Sequence, residues 1–265
     1  MLAKTPRIGI VGGAGWLGNA IAEAVLGAGV VSKGLLSLSF RSKEPKTQSD
    51  IFWTSDNREL AERSDVVVLA VRPQDWRAID LDLKGKLVVS VMAGITLQSL
   101  STHHSSSRVV RAMPNAAVSV AMSYTPWVSS EAVTDDDKSI IRQIFAACGP
   151  EDEVYKEEQI DYLTALTGSG PALAALLASA MMRDAVSNGL EPHIARRAAS
   201  ALIVGSGRLL ESGENCPSAI VDTFREYRGT TAAAISTMLD AGFDNAVSLG
   251  LKAAFKEAQR MGERL

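Results

Sequence analysis

The sequence predicts an α/β protein: a Rossmann-like N-terminal domain built on a parallel sheet, followed by an all-α C-terminal domain. Three observations lead there. Near-continuous apolar segments alternate with helix-like segments through the first half, the pattern of parallel strands covered by helices on both faces. From Ile160 onward the chain is alanine-rich and carries almost no strand signal. The texture changes near residue 158, so the expected domains are 1–158 and 159–265.

The elements follow in order. "RIGIVGG" reads as a buried strand that ends in glycine, and "NAIAEAVLGAG" as a helix with apolar residues at helical spacing. "GLLSLSF", "DVVVLAV", "KLVVSVMAG" and "RVVRAMPN" are further buried strands, rich in β-branched residues and bounded by turn formers. "MSYTPWVS" is one more, where Pro126 favours an edge position because it lacks an N–H for the ladder. Beyond Tyr155, the segments beginning "DYLTALTGSGPALAALLASAMM", "IARRAASALIVG", "TTAAAISTMLDAG" and "NAVSLGLKAAFKEAQRM" read as helices jointed at Gly or Pro. So many small residues imply close helix packing, with some apolar surface covered by a second subunit.

Length and charge narrow the function classes. A chain of 265 residues accommodates two domains and a substantial core. Its net charge of −3 offers no electrostatic case for nucleic acid, which is held by clustered Lys and Arg. Cys148 and Cys216 lie far apart, and His103, His104 and His193 are the only histidines, so no metal site is expected. "MLAKTPRIGIVGG" runs straight into structure, without the basic and apolar regions of a leader. Apolar runs such as "ALAALLASAMM" fall short of the ~20 residues that span a bilayer. The expectation is a cytoplasmic protein without a membrane partner.

The first candidate site is "GGAGWLG", which places Gly13, Gly15 and Gly18 in a G-x-G-x-x-G pattern between a predicted strand and helix. The first glycine permits the turn, and the second admits a pyrophosphate close to the backbone. The third lets the helix pack on the strand and present its free N–H groups. Ala14, Trp16 and Leu17 complete the loop. The bland alternative is a tight βα turn without a ligand. At the end of the second strand, "SFRSK" puts Phe40, Arg41, Ser42 and Lys43 where an acid would bind the ribose 2′-hydroxyl of NAD. Two cations and a hydroxyl suit a 2′-phosphate instead, so NADP(H) is expected over NAD(H). A solvated basic turn is the competing reading. Asn57 joins the cofactor-binding candidates. "VVLAVRPQDW" contributes Ala70, Val71, Arg72 and Pro73 at another strand end, "SVMAGIT" contributes Ala93 and Gly94, and "RAMPN" contributes Asn115.

"VVLAVRPQ", "SVMAGIT", "RAMPN", "LTALTGSGPA" and "RGTTAAAI" occur in that order along the chain. The whole sequence resembles the pyrroline-5-carboxylate reductase family, enzymes of proline biosynthesis that reduce a cyclic imine with NAD(P)H. "TGSGPA" followed much later by "GTTAAA" is the most specific part of the match. The resemblance implies a helical C-terminal domain that dimerises, giving a homo-oligomer that is a dimer or a multiple of dimers. It implies an active site between the nicotinamide of one subunit and a helical loop of the partner. It also implies that Gly229 and Thr230 belong to the loop whose N–H groups hold the substrate carboxylate. Thr231 would hydrogen-bond the ring nitrogen as the catalytic residue, and Ser169 and Gly170 would start the helix facing that loop. An iminium carbon is already electrophilic, so hydride transfer needs positioning more than acid–base groups.

The departures concern the substrate wall. Glu226, Tyr227 and Arg228 stand where the family has Ser, Pro and Gly. Ala116 and Ala117 replace a threonine and a proline, Leu173 a common aromatic and Ser179 a glutamate, and the glycine fingerprint has one extra residue. Arg228 would supply a guanidinium clamp for a carboxylate, or else sit in a solvent-facing turn. Two alternatives to the proline-forming enzyme therefore stay open. One is a cyclic imine reductase with another substrate, and the other is a non-catalytic NADP-binding paralogue. A β-hydroxyacid dehydrogenase needs a lysine on the long helix, and none lies between Lys156 and Lys252.

Overall fold

In the computed structural model, which describes residues 5–42, 45, 50–212 and 216–263, eight strands join one sheet. They are β1 (Ile8–Val11), β2 (Leu36–Ser39), β3 (Phe52–Thr54), β4 (Val66–Leu69), β5 (Leu87–Ser90), β6 (Val109–Ala112), β7 (Thr125–Ser129) and β8 (Glu151–Glu153). Their order is β3-β2-β1-β4-β5-β6-β7-β8. The β1, β2, β4, β5 and β6 strands bury every residue, most of them apolar, with Ser37, Ser39, Ser90 and Arg111 among the buried polar groups. Alternation then assigns each side chain to one face. Val66 and Val68 join one core cluster with Ile8, Ile10, Ile21 and Phe145. Val67 and Leu69 join the other with Leu60, Trp76 and Leu100. Each fully buried Val or Leu contributes ~1.5–3 kcal/mol, so the two faces together fix the strand register.

The helices are α1 (Trp16–Gly27), α2 (Asn57–Glu62), α3 (Pro73–Trp76), α4 (Leu97–His104), α5 (Asp135–Ala146) and α6 (Glu157–Leu163). After a π-helical turn over Thr164–Gly168 come α7 (Gly170–Ser187), α8 (Pro192–Ser212), α9 (Pro217–Glu226), α10 (Thr230–Asp240) and α11 (Phe243–Glu263). Their starts are chemically marked. Asp56 and Thr96 cap α2 and α4 with side-chain oxygens, and Thr134 forms a capping box with Asp137 at α5.

The expected parallel core runs from β3 to β6, and β7 adds to it antiparallel to β6. One sequence expectation is corrected: β7 is not the edge, since β8 pairs with it in parallel. Pro126 is tolerated because the last registered β6 pair is Ala112 with Trp127, so its missing N–H falls just beyond that ladder. The true edges, β3 and β8, are three residues long and incompletely buried.

The chain forms two compact units, 1–169 with 254–265, and 170–253. The compact units meet at Ser169, and the end of α11 belongs to the first unit. In that unit Arg111, 2% exposed, reaches Glu157 Oε1 at 3.2 Å and Asp161 Oδ1 at 2.5 Å. Glu157 Oε1 also accepts the Leu97 N–H at 2.8 Å. A buried guanidinium left without its carboxylates costs about 3–5 kcal/mol, so this cluster fastens α6 to the sheet. In the second unit, α7 packs along α8 and α9 against α10. Among its described residues only Ala195 and Ala199 are buried.

His104 is fully buried beneath the sheet and hydrogen-bonded at both ring nitrogens. Trp76 Nε1–H donates to Nε2 at 3.0 Å, and Nδ1 meets the Leu81 carbonyl at 3.0 Å. The tautomer that satisfies both is neutral, with its proton on Nδ1. Burial, opposed by the Leu81 bond and reinforced by His103, pushes its pKa below the usual 6.5. The unfolded chain therefore binds the extra proton more readily. Stability present above about pH 6.5 is lost as pH falls through the lower folded value. Thermal unfolding should show a falling Tm as pH drops below about 6.5, and the fall should be shallower in His104→Gln. Equal pH slopes would contradict this role.

Candidate active site

The turn after β1 is built from four glycines, each with its own steric reason. Gly12 adopts φ +82°, and a Cβ there would lie 2.7 Å from the Ala70 carbonyl oxygen. A Cβ on Gly13 would meet Leu38 at 2.9 Å, and one on Gly15 would meet Gly12 O at 3.0 Å. At Gly18 the distance to Gly12 O would be only 2.4 Å. The left-handed residue is thus Gly12, not Gly13; the extra glycine of the fingerprint makes the bend. Backbone bonds hold the loop: Gly15 N–H donates to Gly12 O at 2.8 Å, and Ala14 N–H donates to Ser39 O at 3.1 Å. Ser39 Oγ accepts from the Gly12 N–H at 3.0 Å, so the end of β2 clamps the turn. The start of α1 has no side-chain cap. Trp16, Leu17 and Gly18 therefore present their N–H groups above a floor that no side chain fills. This cradle fits the pyrophosphate of a dinucleotide.

The neighbouring strand ends supply the rest of the rim. Phe40 is half-buried and its N–H donates to Thr54 O at 3.1 Å, while Arg41 and Ser42 are exposed. Lys43 lies outside the described residues. Asn57 opens α2 and is partly buried. Ala70 and Val71 continue β4, and Ala70 N–H donates to Val11 O at 2.9 Å. Arg72 precedes Pro73, the first residue of α3. Strands β2 and β4 flank β1 on either side, so these groups share one carboxyl edge around the glycine turn. What the sequence missed is an acid here. Asp75 Oδ2 accepts from Arg41 Nη1 at 3.3 Å and from Arg72 Nε at 2.8 Å. No spacing rule marks it; only the fold sets it beside Arg41.

At the ends of β5 and β6 the small or polar residues have structural duties. Gly94 has φ +78°, and a Cβ there would stand 2.8 Å from the Gly262 backbone nitrogen of α11. Its smallness therefore serves the packing of α11 against the end of β5. Ala93 packs beside Met113, Val128 and Ile160. Asn115 accepts from Ala117 N–H at 2.9 Å and donates to Thr167 O at 3.1 Å, which ties the rim to the π-helical turn. Ser169 N–H closes that turn on Thr164 O at 3.2 Å. Such turns concentrate at functional sites.

The opening of α10 belongs to the second unit. Gly229 is its N-cap, with no side-chain cap, so Thr230 and Thr231 expose both hydroxyls and first-turn N–H groups. Arg228 has φ +51°, the left-handed region where a glycine sits without strain and another residue loses about 1–2 kcal/mol. Tyr227 is 86% exposed. On α7, Ser179 Oγ accepts from Arg183 Nη1 at 2.6 Å. No group of His, Cys, Asp and Glu suited to a metal occurs among the described residues.

A pyrroline-5-carboxylate reductase from Synechocystis is 30% identical to this chain over 97% of it and 99% of that protein. The chain belongs to the pyrroline-5-carboxylate reductase family. Residues 157–261 match the family model described as pyrroline-5-carboxylate reductase dimerisation, and residues 7–94 match NADP oxidoreductase coenzyme F420-dependent. The pyrroline-5-carboxylate reductase structure from Coxiella burnetii is 28% identical with TM-score 0.88, over 97% of this chain and 99% of that one. The NADP-bound Plasmodium falciparum pyrroline carboxylate reductase is 26% identical with TM-score 0.84, over 97% and 98%.

Membership of the pyrroline-5-carboxylate reductase family accounts for the bare helical unit. Leu176, Val204 and Leu209 are each more than 60% exposed, within the segment matched as a dimerisation domain. The chain therefore self-associates. The continuous helix Glu157–Ser187 is also long and apolar enough to cross a membrane by length and composition, contrary to the reading of short apolar runs. The whole of it lies in the same dimerisation segment.

The steric reading of the turn has a direct consequence. Gly18→Ala should push α1 off β1, lower stability by about 1–3 kcal/mol and weaken dinucleotide binding about tenfold or more. Calorimetry with NADPH checks both; unchanged affinity would contradict the cradle.

Proposed function

We propose that this protein is an NAD(P)H-dependent oxidoreductase that reduces the C=N bond of 1-pyrroline-5-carboxylate, giving L-proline. Full-length similarity to pyrroline-5-carboxylate reductases carries the reading. The glycine cradle after β1 supports it independently. The coenzyme supplies a hydride when bound, and the chain's residues hold and orient the reactants. Gly13 to Gly18 would hold the pyrophosphate, and Arg41 and Ser42 the 2′-phosphate, so we propose NADPH as the preferred coenzyme. Lys43 belongs to this assignment by sequence alone. Asn57, Ala70 to Pro73, Ala93, Gly94 and Asn115 would border the remaining coenzyme.

For the substrate, we assign its carboxylate to the N–H groups at Gly229 and Thr230, where the helix dipole favours an anion. Arg228 adds a guanidinium beside them, and Ser169 completes the substrate contacts. The Thr231 hydroxyl would hydrogen-bond the ring nitrogen and hold the imine plane for attack at carbon. The imine carbon gains the hydride and the nitrogen keeps or takes one proton. No histidine is required. A reaction in the cytoplasm is part of the same proposal.

A second reading has its own observation. Arg228 holds a left-handed backbone between exposed Tyr227 and Gly229, so a larger, charged turn replaces a compact one. Such a wall favours a related cyclic imine carboxylate, because a site built for one polar pattern rejects another strongly.

Reduced-coenzyme oxidation, followed by absorbance over a panel of cyclic imines, separates the readings. Turnover with pyrroline-5-carboxylate supports the first and turnover only with another imine supports the second. NADPH binding without any turnover would leave a non-catalytic paralogue. Thr231→Ala should cut turnover about 100-fold while NADPH affinity stays nearly constant; an unimpaired rate would refute the role. Arg41→Ala should weaken NADPH about tenfold more than NADH, and equal weakening would refute the phosphate assignment.

A further inference from the structure

Asp75 is the acid that the end of β2 lacks. NAD-type sites carry a carboxylate there to accept the ribose 2′-hydroxyl, and "SFRSK" has none. The fold brings one from the opposite side of the glycine turn. Asp75, in the first turn of α3, sits 35% exposed between Arg41 and Arg72. Arg41 follows β2 and Arg72 follows β4, the two strands that flank β1. The contacts from Arg41 Nη1 at 3.3 Å, Arg72 Nε at 2.8 Å and Arg72 Nη2 at 2.8 Å all converge on Oδ2. Among the described residues, Oδ1 takes no donor.

We infer that Asp75 sets the choice between phosphorylated and unphosphorylated coenzyme, an inference that rests on the coenzyme site proposed above. Its carboxylate cancels one of the two guanidinium charges that would otherwise meet a 2′-phosphate. A phosphate monoester carries about −1.5 to −2 charges at neutral pH, so Asp75 repels it at close range. The free Oδ1 meanwhile accepts a ribose hydroxyl, which only the unphosphorylated coenzyme offers at the 2′ position. Arg41 favours NADPH, and Asp75 limits that preference and keeps NADH usable.

Direct binding tests this without reliance on turnover. Kd values for NADPH and NADH are measured by titration calorimetry on the full chain, for the natural protein, Asp75→Asn, Arg41→Ala and the double variant. Asp75→Asn should tighten NADPH about fivefold and weaken NADH about threefold. The NADPH gain should shrink in the Arg41→Ala background, because the carboxylate acts partly by occupying Arg41. A ratio of the two affinities that stays constant, or moves toward NADH, overturns the inference while the coenzyme site stands. Failure of the natural protein to bind either coenzyme overturns both.

Discussion

The coenzyme end depends on a steric constraint: the Gly12 carbonyl leaves no room beside it for a side chain on Gly18. That closeness seats α1 directly on β1 and leaves its uncapped N–H groups above the turn. Gly12 and Gly13 make the approach possible, since a Cβ on either would strike Ala70 or Leu38. The same constraint sets the lateral arrangement. Ser39 on β2 and Ala70 after β4 both touch the turn, so the residues that follow them are drawn to its two sides. Arg41, Arg72 and Asp75 meet because the strands they follow are the neighbours of β1.

A second constraint has the opposite character. The described residues of 170–253 bury almost nothing of their own, yet they include large apolar side chains along several helices. Helices shed water from such faces only against another apolar surface. Self-association of a dimerisation domain provides one. The alanine and glycine content that first marked this half as helical also permits the close approach that such an interface needs. Folding of this half and assembly of the protein are therefore one physical problem.

Much of this was legible in the sequence because burial writes a plain signature. The strands β1, β2, β4, β5 and β6 are wholly buried and mostly apolar, and the glycine turn sits between a strand and a helix as its pattern required. The edge strands β3 and β8 were not legible. Three incompletely buried residues such as Glu151–Glu153 carry no apolar signal. The antiparallel direction of β7 was hidden for another reason, since its partner choice is decided by β6 and β8 rather than by its own composition. Within the site, the identity of the bending glycine turned on which Cβ would clash, and four candidates in a short stretch look alike in one dimension. The packing of Gly94 against Gly262 was equally hidden, because the two lie far apart along the chain. Asp75 was invisible because its significance is purely spatial.

These observations converge on a reductase-family member in which, on the proposed reading, the glycine turn would take the coenzyme and the turn at Tyr227 and Arg228 would face the substrate. The central claim is hydride delivery to an imine carbon. Mass spectrometry of the product formed with coenzyme deuterated at the transferred position tests it most directly. The account predicts proline carrying a single deuterium at the carbon that was double-bonded to nitrogen. Proline without label, or no labelled amine from any cyclic imine carboxylate despite bound coenzyme, would contradict it.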